Sequence, residues 1–226
     1  MVSKTFIIGV SGKLRHGKDT IGDYLVRRYG FKKVSFADKL KQICMSYDNT
    51  TPELRSASNQ QIARELFNGK ATEQQVDALM QWIEPGVWRK LTEEECYMTK
   101  PAHARRKMQL LGEGARQQIQ ADCWVAYALR KCHEEGGRFV IADLRYKNEA
   151  FAIEMQPNAQ LWRVFRDAVE TDQFGKHISE VDLDDYPFEV FIDNNGSLRE
   201  LYDTVDKVVR PLLQGNRPFA SGKEVY

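Results

Sequence analysis

The chain of 226 residues carries 33 Lys+Arg against 32 Asp+Glu, a formal net charge of +1, with 42% hydrophobic and 29% charged residues. That balance is enough for one substantial core, and it argues against a duplex-DNA binder, which must neutralise many phosphates through a broad basic surface. No run of eighteen apolar residues occurs and the first residues lack an apolar signal region, so a cytoplasmic protein without a membrane span is expected.

In chain order, residues 5–10 (TFIIGV) form a short β-branched apolar run followed at once by a glycine-bearing polar loop. Ile21, Tyr24 and Leu25 then recur at helical spacing up to Gly30, which reads as strand, loop, helix. Residues 33–37 (KVSFA) predict a second strand, and Leu40, Ile43 and Cys44 a helix opening near Asp38. From about 49 to 100 the pattern becomes Gln- and Glu-rich and helical, broken at Pro85-Gly86, with a helix start at Thr92; this is expected to be an inserted helical subdomain or lid. Residues 105–130 read as helix interrupted around Gly112 and Gly114. Residues 138–142 (RFVIA), 161–165 and 190–192 predict further strands, and Leu198, Leu201, Val205, Val208, Val209 and Leu212 mark one face of a closing helix. The tail from 214 to 226 has no period and is expected to be loose, leaving one domain over 1–213. Alternating strands and helices imply an α/β fold, a parallel sheet covered by helices, with ligands outside the carboxyl ends of the strands. The cysteines Cys44, Cys96, Cys123 and Cys132 share no CxxC spacing and are expected to be reduced packing residues.

The strongest chemical signal is Gly12-Lys13-Leu14-Arg15-His16-Gly17-Lys18-Asp19-Thr20, between the first strand and the first helix. A Gly-x-x-x-x-Gly-Lys loop in that place is a phosphate loop. Its glycines let successive amides point at phosphate oxygens, the helix N-terminus adds its positive dipole end, and the lysine reaches the β- and γ-phosphates. Asp19 stands where a Ser or Thr usually joins the Mg²⁺ shell, displacing the hydroxyl to Thr20. Both supply oxygen to a hard cation, so Asp19 and Thr20 are the metal candidates, and Asp19 could equally orient an acceptor.

Gly17-Lys18-Asp19-Thr20, then Ala37-Asp38-Lys39-Leu40-Lys41, Leu111-Gly112-Glu113, Asp122-Cys123-Trp124-Val125, Asp143-Leu144-Arg145 with Glu149, His177-Ile178-Ser179-Glu180 and Asn194-Asn195-Gly196-Ser197-Leu198 occur in one order along the chain. In that order they resemble the phage-type deoxynucleoside monophosphate kinases, over residues 5 to about 210 with 45–100 largely unmatched. The resemblance implies a nucleoside-monophosphate-kinase-like P-loop sheet with helical lids. It also implies ATP and Mg²⁺ as cofactors, transfer to a deoxynucleoside monophosphate, a homodimer, and the host cytoplasm if the chain is phage-encoded.

Phosphoryl transfer needs in-line alignment and neutralisation of charge spreading over the moving oxygens. Gly12, Arg15, Gly17, Lys18, Asp19 and Thr20 are therefore expected on ATP, with Arg15, Lys18 and Asp19 catalytic. The resemblance adds Arg106 on the ATP side, although an Arg105-Arg106 pair is equally a solvated helix face. Asp143 and Arg145 end a strand where α/β sites are built, and a guanidinium fork suits an acceptor phosphate or base edge. Glu149 either joins them at the acceptor or supports Arg145. Leu40, Lys41, Gly112 and Glu113 match family positions lining the acceptor. Trp124 offers a face for a nucleobase, or belongs to the core as its apolar neighbours suggest. His177 and Glu180 fit a lid, or a solvated loop. Trp82, Trp88 and Trp162 are assigned to packing. Two other readings stay open. One is a kinase acting on a hydroxymethylated base in DNA or on a non-nucleotide phosphate such as phosphomevalonate; the other is a nucleotide-binding module without catalysis.

Overall fold

The computed structural model describes residues 5–167, 182–215 and 224–225. They fall into two compact units, a sheet unit of Met1–Ser35 with Cys132–Tyr226 and a helical unit of Phe36–Lys131.

The sheet unit is built on β1 (Phe6–Ser11), β2 (Lys32–Val34), β3 (Arg138–Leu144), β4 (Ala159–Phe165), β5 (Val190–Asp193) and β6 (Glu224–Val225), in the order β2-β3-β1-β4-β5-β6. Every pairing is parallel. Strands in such a sheet are buried on both faces, which is why 138–142 and 5–10 read as near-continuous apolar runs and not as alternating ones. On one face Ile8, Val10, Val140, Trp162, Val164, Val190 and Ile192 pack with Ile21 and Leu25 of α1 (Lys18–Tyr29) and with Leu201, Val205 and Val208 of the closing helix (Leu198–Leu213). On the other face α8 (Lys147–Glu154) comes so near β1 that a Cβ on Gly9 would sit 2.9 Å from Ile153 Cδ1. The two helices of the first face are tied by Asp206, which accepts from Tyr24 Oη at 2.8 Å and Tyr29 Oη at 2.6 Å. Because β1 lies between β3 and β4 while β2 lies outside β3, the chain reverses its order beside β1, the place where open α/β sheets form their crevice. The tail expected to be loose supplies the two-residue β6 beside β5.

The helical unit contains α2 (Asp38–Ser46), α3 (Pro52–Glu65), α4 (Glu73–Ile83), α5 (Glu93–Tyr97), α6 (Ala102–Gln118) and the start of α7 (Cys123–Glu135), so that the closing helix is α9. Thr51, Thr72 and Thr92 open α3, α4 and α5 by accepting from the backbone N–H of Leu54, Gln75 and Glu95, and the last two close full capping boxes. The unit is wider than the expected 49–100 because α2 and α6 pack on each other inside it. The expected interruption at Gly112 and Gly114 is absent: α6 runs through both. They are glycine because neighbours press on the helix. A Cβ on Gly112 would meet Leu40 Cδ1 at 3.0 Å, and one on Gly114 would meet Leu79 Cδ1 at 2.7 Å and Trp82 at 3.0 Å. Trp88 and Trp162 are buried as assigned, whereas Trp82 keeps half its surface in solvent. The four cysteines are free and buried, and burial pushes the thiols of Cys44, Cys123 and Cys132 up to about 12, which makes them inert. Among the described residues no helix is long and apolar enough to cross a membrane.

Candidate active site

The 12–17 loop leaves the carboxyl end of β1 and enters α1 at Gly17, whose φ of 105° lies in the left-handed region where only glycine is comfortable. Arg15 also takes a positive φ, 65°, and its side chain is exposed. The N-cap of α1 is Gly17, which has no side-chain oxygen to cap the helix. The Lys18 ammonium folds back across the loop, donating to the carbonyls of Gly12 at 2.5 Å and Lys13 at 2.8 Å. The loop lies against the ends of its neighbouring strands: a Cβ on Gly12 would fall 2.5 Å from the Val164 carbonyl oxygen. His16 is buried with Nδ1 3.4 Å from that same carbonyl. Burial lowers the His16 pKa; the Val164 contact opposes this, while Lys18, Arg163 and Lys13 push it further down.

Asp19 and Asp23 both receive the Lys33 ammonium, at 2.8 and 3.0 Å. Burial alone would lower the Lys33 pKa, but these two carboxylates outweigh it and raise it. Thr20 follows on the same turn of α1 and is partly exposed. At the end of β3, next to β1, the Asp143 carboxylate accepts from Ser35 Oγ at 2.5 Å. Arg145 follows, exposed. Glu149 is buried and accepts from the backbone N–H of Arg145 at 2.9 Å and of Tyr146 at 3.1 Å. Its carboxylate thus holds the turn that presents Arg145 and opens α8. The sheet unit therefore brings together Gly12, Arg15, Gly17, Lys18, Asp19 and Thr20 on one loop and turn, with Asp143 and Arg145 at the adjoining strand end.

In the helical unit Leu40 packs against Gly112, Lys41 places its ammonium 4.2 Å from the centre of the Tyr97 ring, and Glu113 is exposed, accepting from Gln117 at 2.9 Å. Arg105 and Arg106 are exposed on α6. Trp124 is buried at 6% exposure with its indole N–H donating to the Gly112 carbonyl at 3.0 Å, which places it in the core. His177 and Glu180 lie outside the described residues. Sequence reading places Lys33 and Ser35 in a strand and Asn194 in the Asn194-Asn195-Gly196-Ser197-Leu198 element, but gives none of the three a role at the site.

The loop at the end of the central strand, the parallel order around it and the covering helices define the α/β fold of P-loop kinases. Residues 88–205, just over half of the chain, match the family model described as deoxynucleotide monophosphate kinase. The chain belongs to that family: it is a kinase, a phosphotransferase acting on deoxynucleotide monophosphates. No curated protein matches it.

Proposed function

We propose that this kinase transfers the γ-phosphoryl group of ATP, with Mg²⁺, to a deoxynucleoside 5′-monophosphate. The observation that carries the ATP half is the conformation of the 12–17 loop, with left-handed Gly17 at the mouth of α1 and the Lys18 ammonium drawn over the loop carbonyls. That ammonium exchanges two carbonyl oxygens for β- and γ-phosphate oxygens of higher charge, while the loop amides and the helix dipole receive the rest. Arg15 adds positive charge where the moving phosphoryl group gathers negative charge. Arg145, steadied from behind by Glu149, grips the acceptor phosphate through its planar fork. The alignment of the two phosphates in line is most of the catalysis.

The oxygens present suit a small hard cation. Asp143, partly buried and fixed by Ser35 on the strand beside β1, with Asp19 and Thr20 on the first turn of α1, gives few ligands, all oxygen, as Mg²⁺ sites shared with phosphates require. When bound, the ion neutralises charge on the β- and γ-phosphates. Asp19 meets Lys33 through Oδ1, so its second carboxylate oxygen is the one it would offer the ion.

The family match does not favour transfer to a hydroxymethylated base or to phosphomevalonate, nor nucleotide binding without transfer. The test is ADP release from Mg²⁺-ATP with a panel of dNMPs, NMPs, phosphomevalonate and hydroxymethylated oligonucleotide. ADP should form with dNMPs, and Lys18→Ala should lower turnover about 100-fold or more with the thermal midpoint kept. ADP formation with phosphomevalonate or the oligonucleotide but with no dNMP would contradict the proposal.

A further inference from the structure

We infer that Asn194 is a positioning residue for the donor nucleotide, acting through the peptide bond between His16 and Gly17; this rests on the reading of the 12–17 loop as the ATP site. Asn194 follows directly on β5 and is buried at 8% exposure. Its backbone N–H donates to the Phe165 carbonyl at 3.0 Å, which fixes it to the end of β4. Its side-chain Nδ2 donates to the His16 carbonyl at 2.8 Å.

In a trans peptide the C=O and the following N–H point in opposite directions. Turning the His16 carbonyl onto Asn194 therefore turns the Gly17 N–H away from β5. This peptide needs an external hold, because Gly17 at φ 105° has no Cβ to resist rotation of the bond that precedes it. A flipped peptide would set a carbonyl oxygen where a phosphate expects a donor. The fit is mutual: a Cβ on Gly17 would lie 2.4 Å from Asn194 Nδ2, so the glycine leaves the space that the amide group occupies.

The experiment measures the KM for ATP, the KM for the dNMP and kcat on the full chain for wild type, Asn194→Ala and the near-isosteric Asn194→Asp, with thermal midpoints alongside. Asp keeps the volume and removes the donor but puts a carboxylate against the His16 carbonyl, so only a matching rise in the uncharged Asn194→Ala assigns the effect to the lost hydrogen bond. The expected result is an ATP KM raised about 10-fold in both variants, as for loss of one buried hydrogen bond, with the dNMP KM within about twofold of wild type. Wild-type behaviour of Asn194→Asp, or an equal rise of both KM values, overturns the inference while leaving the ATP reading intact. A wild-type chain whose turnover does not depend on ATP overturns the ATP reading itself.

Discussion

His16 and Arg145 each sit among a few named groups, and each gives a measurable consequence. Arg145 projects from a turn whose backbone N–H groups are held by the buried Glu149 carboxylate. If its fork grips the acceptor phosphate, Arg145→Ala should raise the dNMP KM by about 10- to 100-fold and move the ATP KM less than about twofold. Equal changes in both, from steady-state kinetics with each substrate varied, would refute that role. His16 titrates below the usual 6.5, first because it is buried and then because Lys18, Arg163 and Lys13 face it. The unfolded chain therefore binds this proton more readily than the folded one. The stability that neutral His16 contributes is present above pH 6.5 and is lost as the pH falls through the lower folded value. Thermal unfolding from pH 8 to 5 should show wild type losing ground to His16→Gln below about pH 6.5, since the other histidines are common to both proteins. Parallel curves would contradict the assignment. At this scale the residues of the 12–20 stretch were legible because the phosphate-loop spacing ties chemistry to backbone shape. Glu149 and Trp124 each kept two readings, since a carboxylate that caps a helix and one that touches substrate look alike in sequence, as do a buried and a stacking indole.

Helix α6 shows what a single glycine does to an element. Gly114→Ala would gain up to about 1 kcal/mol of helix propensity. Against that, the new methyl would lie 2.7 Å from Leu79 Cδ1, and Leu79 is 1% exposed with nowhere to go. Overpacking of this kind costs about 1–3 kcal/mol, so the clash should win and lower the denaturation midpoint at unchanged m value. A raised midpoint would show that α4 yields. The same glycines misled the reading of periodicity, which takes glycine as punctuation; here two adjoining helices, not the local chain, decide its use. Strands β1 to β5 and helices α1 and α9 were legible because their apolar residues run together or repeat with the right period, α1 ending at Gly30 and α9 beginning at the Ser197 cap. The bounds of the helical unit, Phe36–Lys131, rest on contacts among α2, α4 and α6 that no local pattern announces.

For the molecule as a whole, two independent lines meet. The family match begins at residue 88, beyond the 12–20 stretch, so it speaks for the acceptor side and for phosphotransfer in general. The donor side rests on loop geometry alone: the carboxyl end of the central strand, a helix opened by glycine, and an ammonium held by two carbonyls. A crystal structure of the chain with a non-hydrolysable ATP analogue and Mg²⁺ joins the two. The triphosphate should lie within the 12–20 stretch, with Lys18 Nζ moved from the Gly12 and Lys13 carbonyls onto β- and γ-phosphate oxygens. A triphosphate bound elsewhere, with Lys18 still on those carbonyls, would contradict the account.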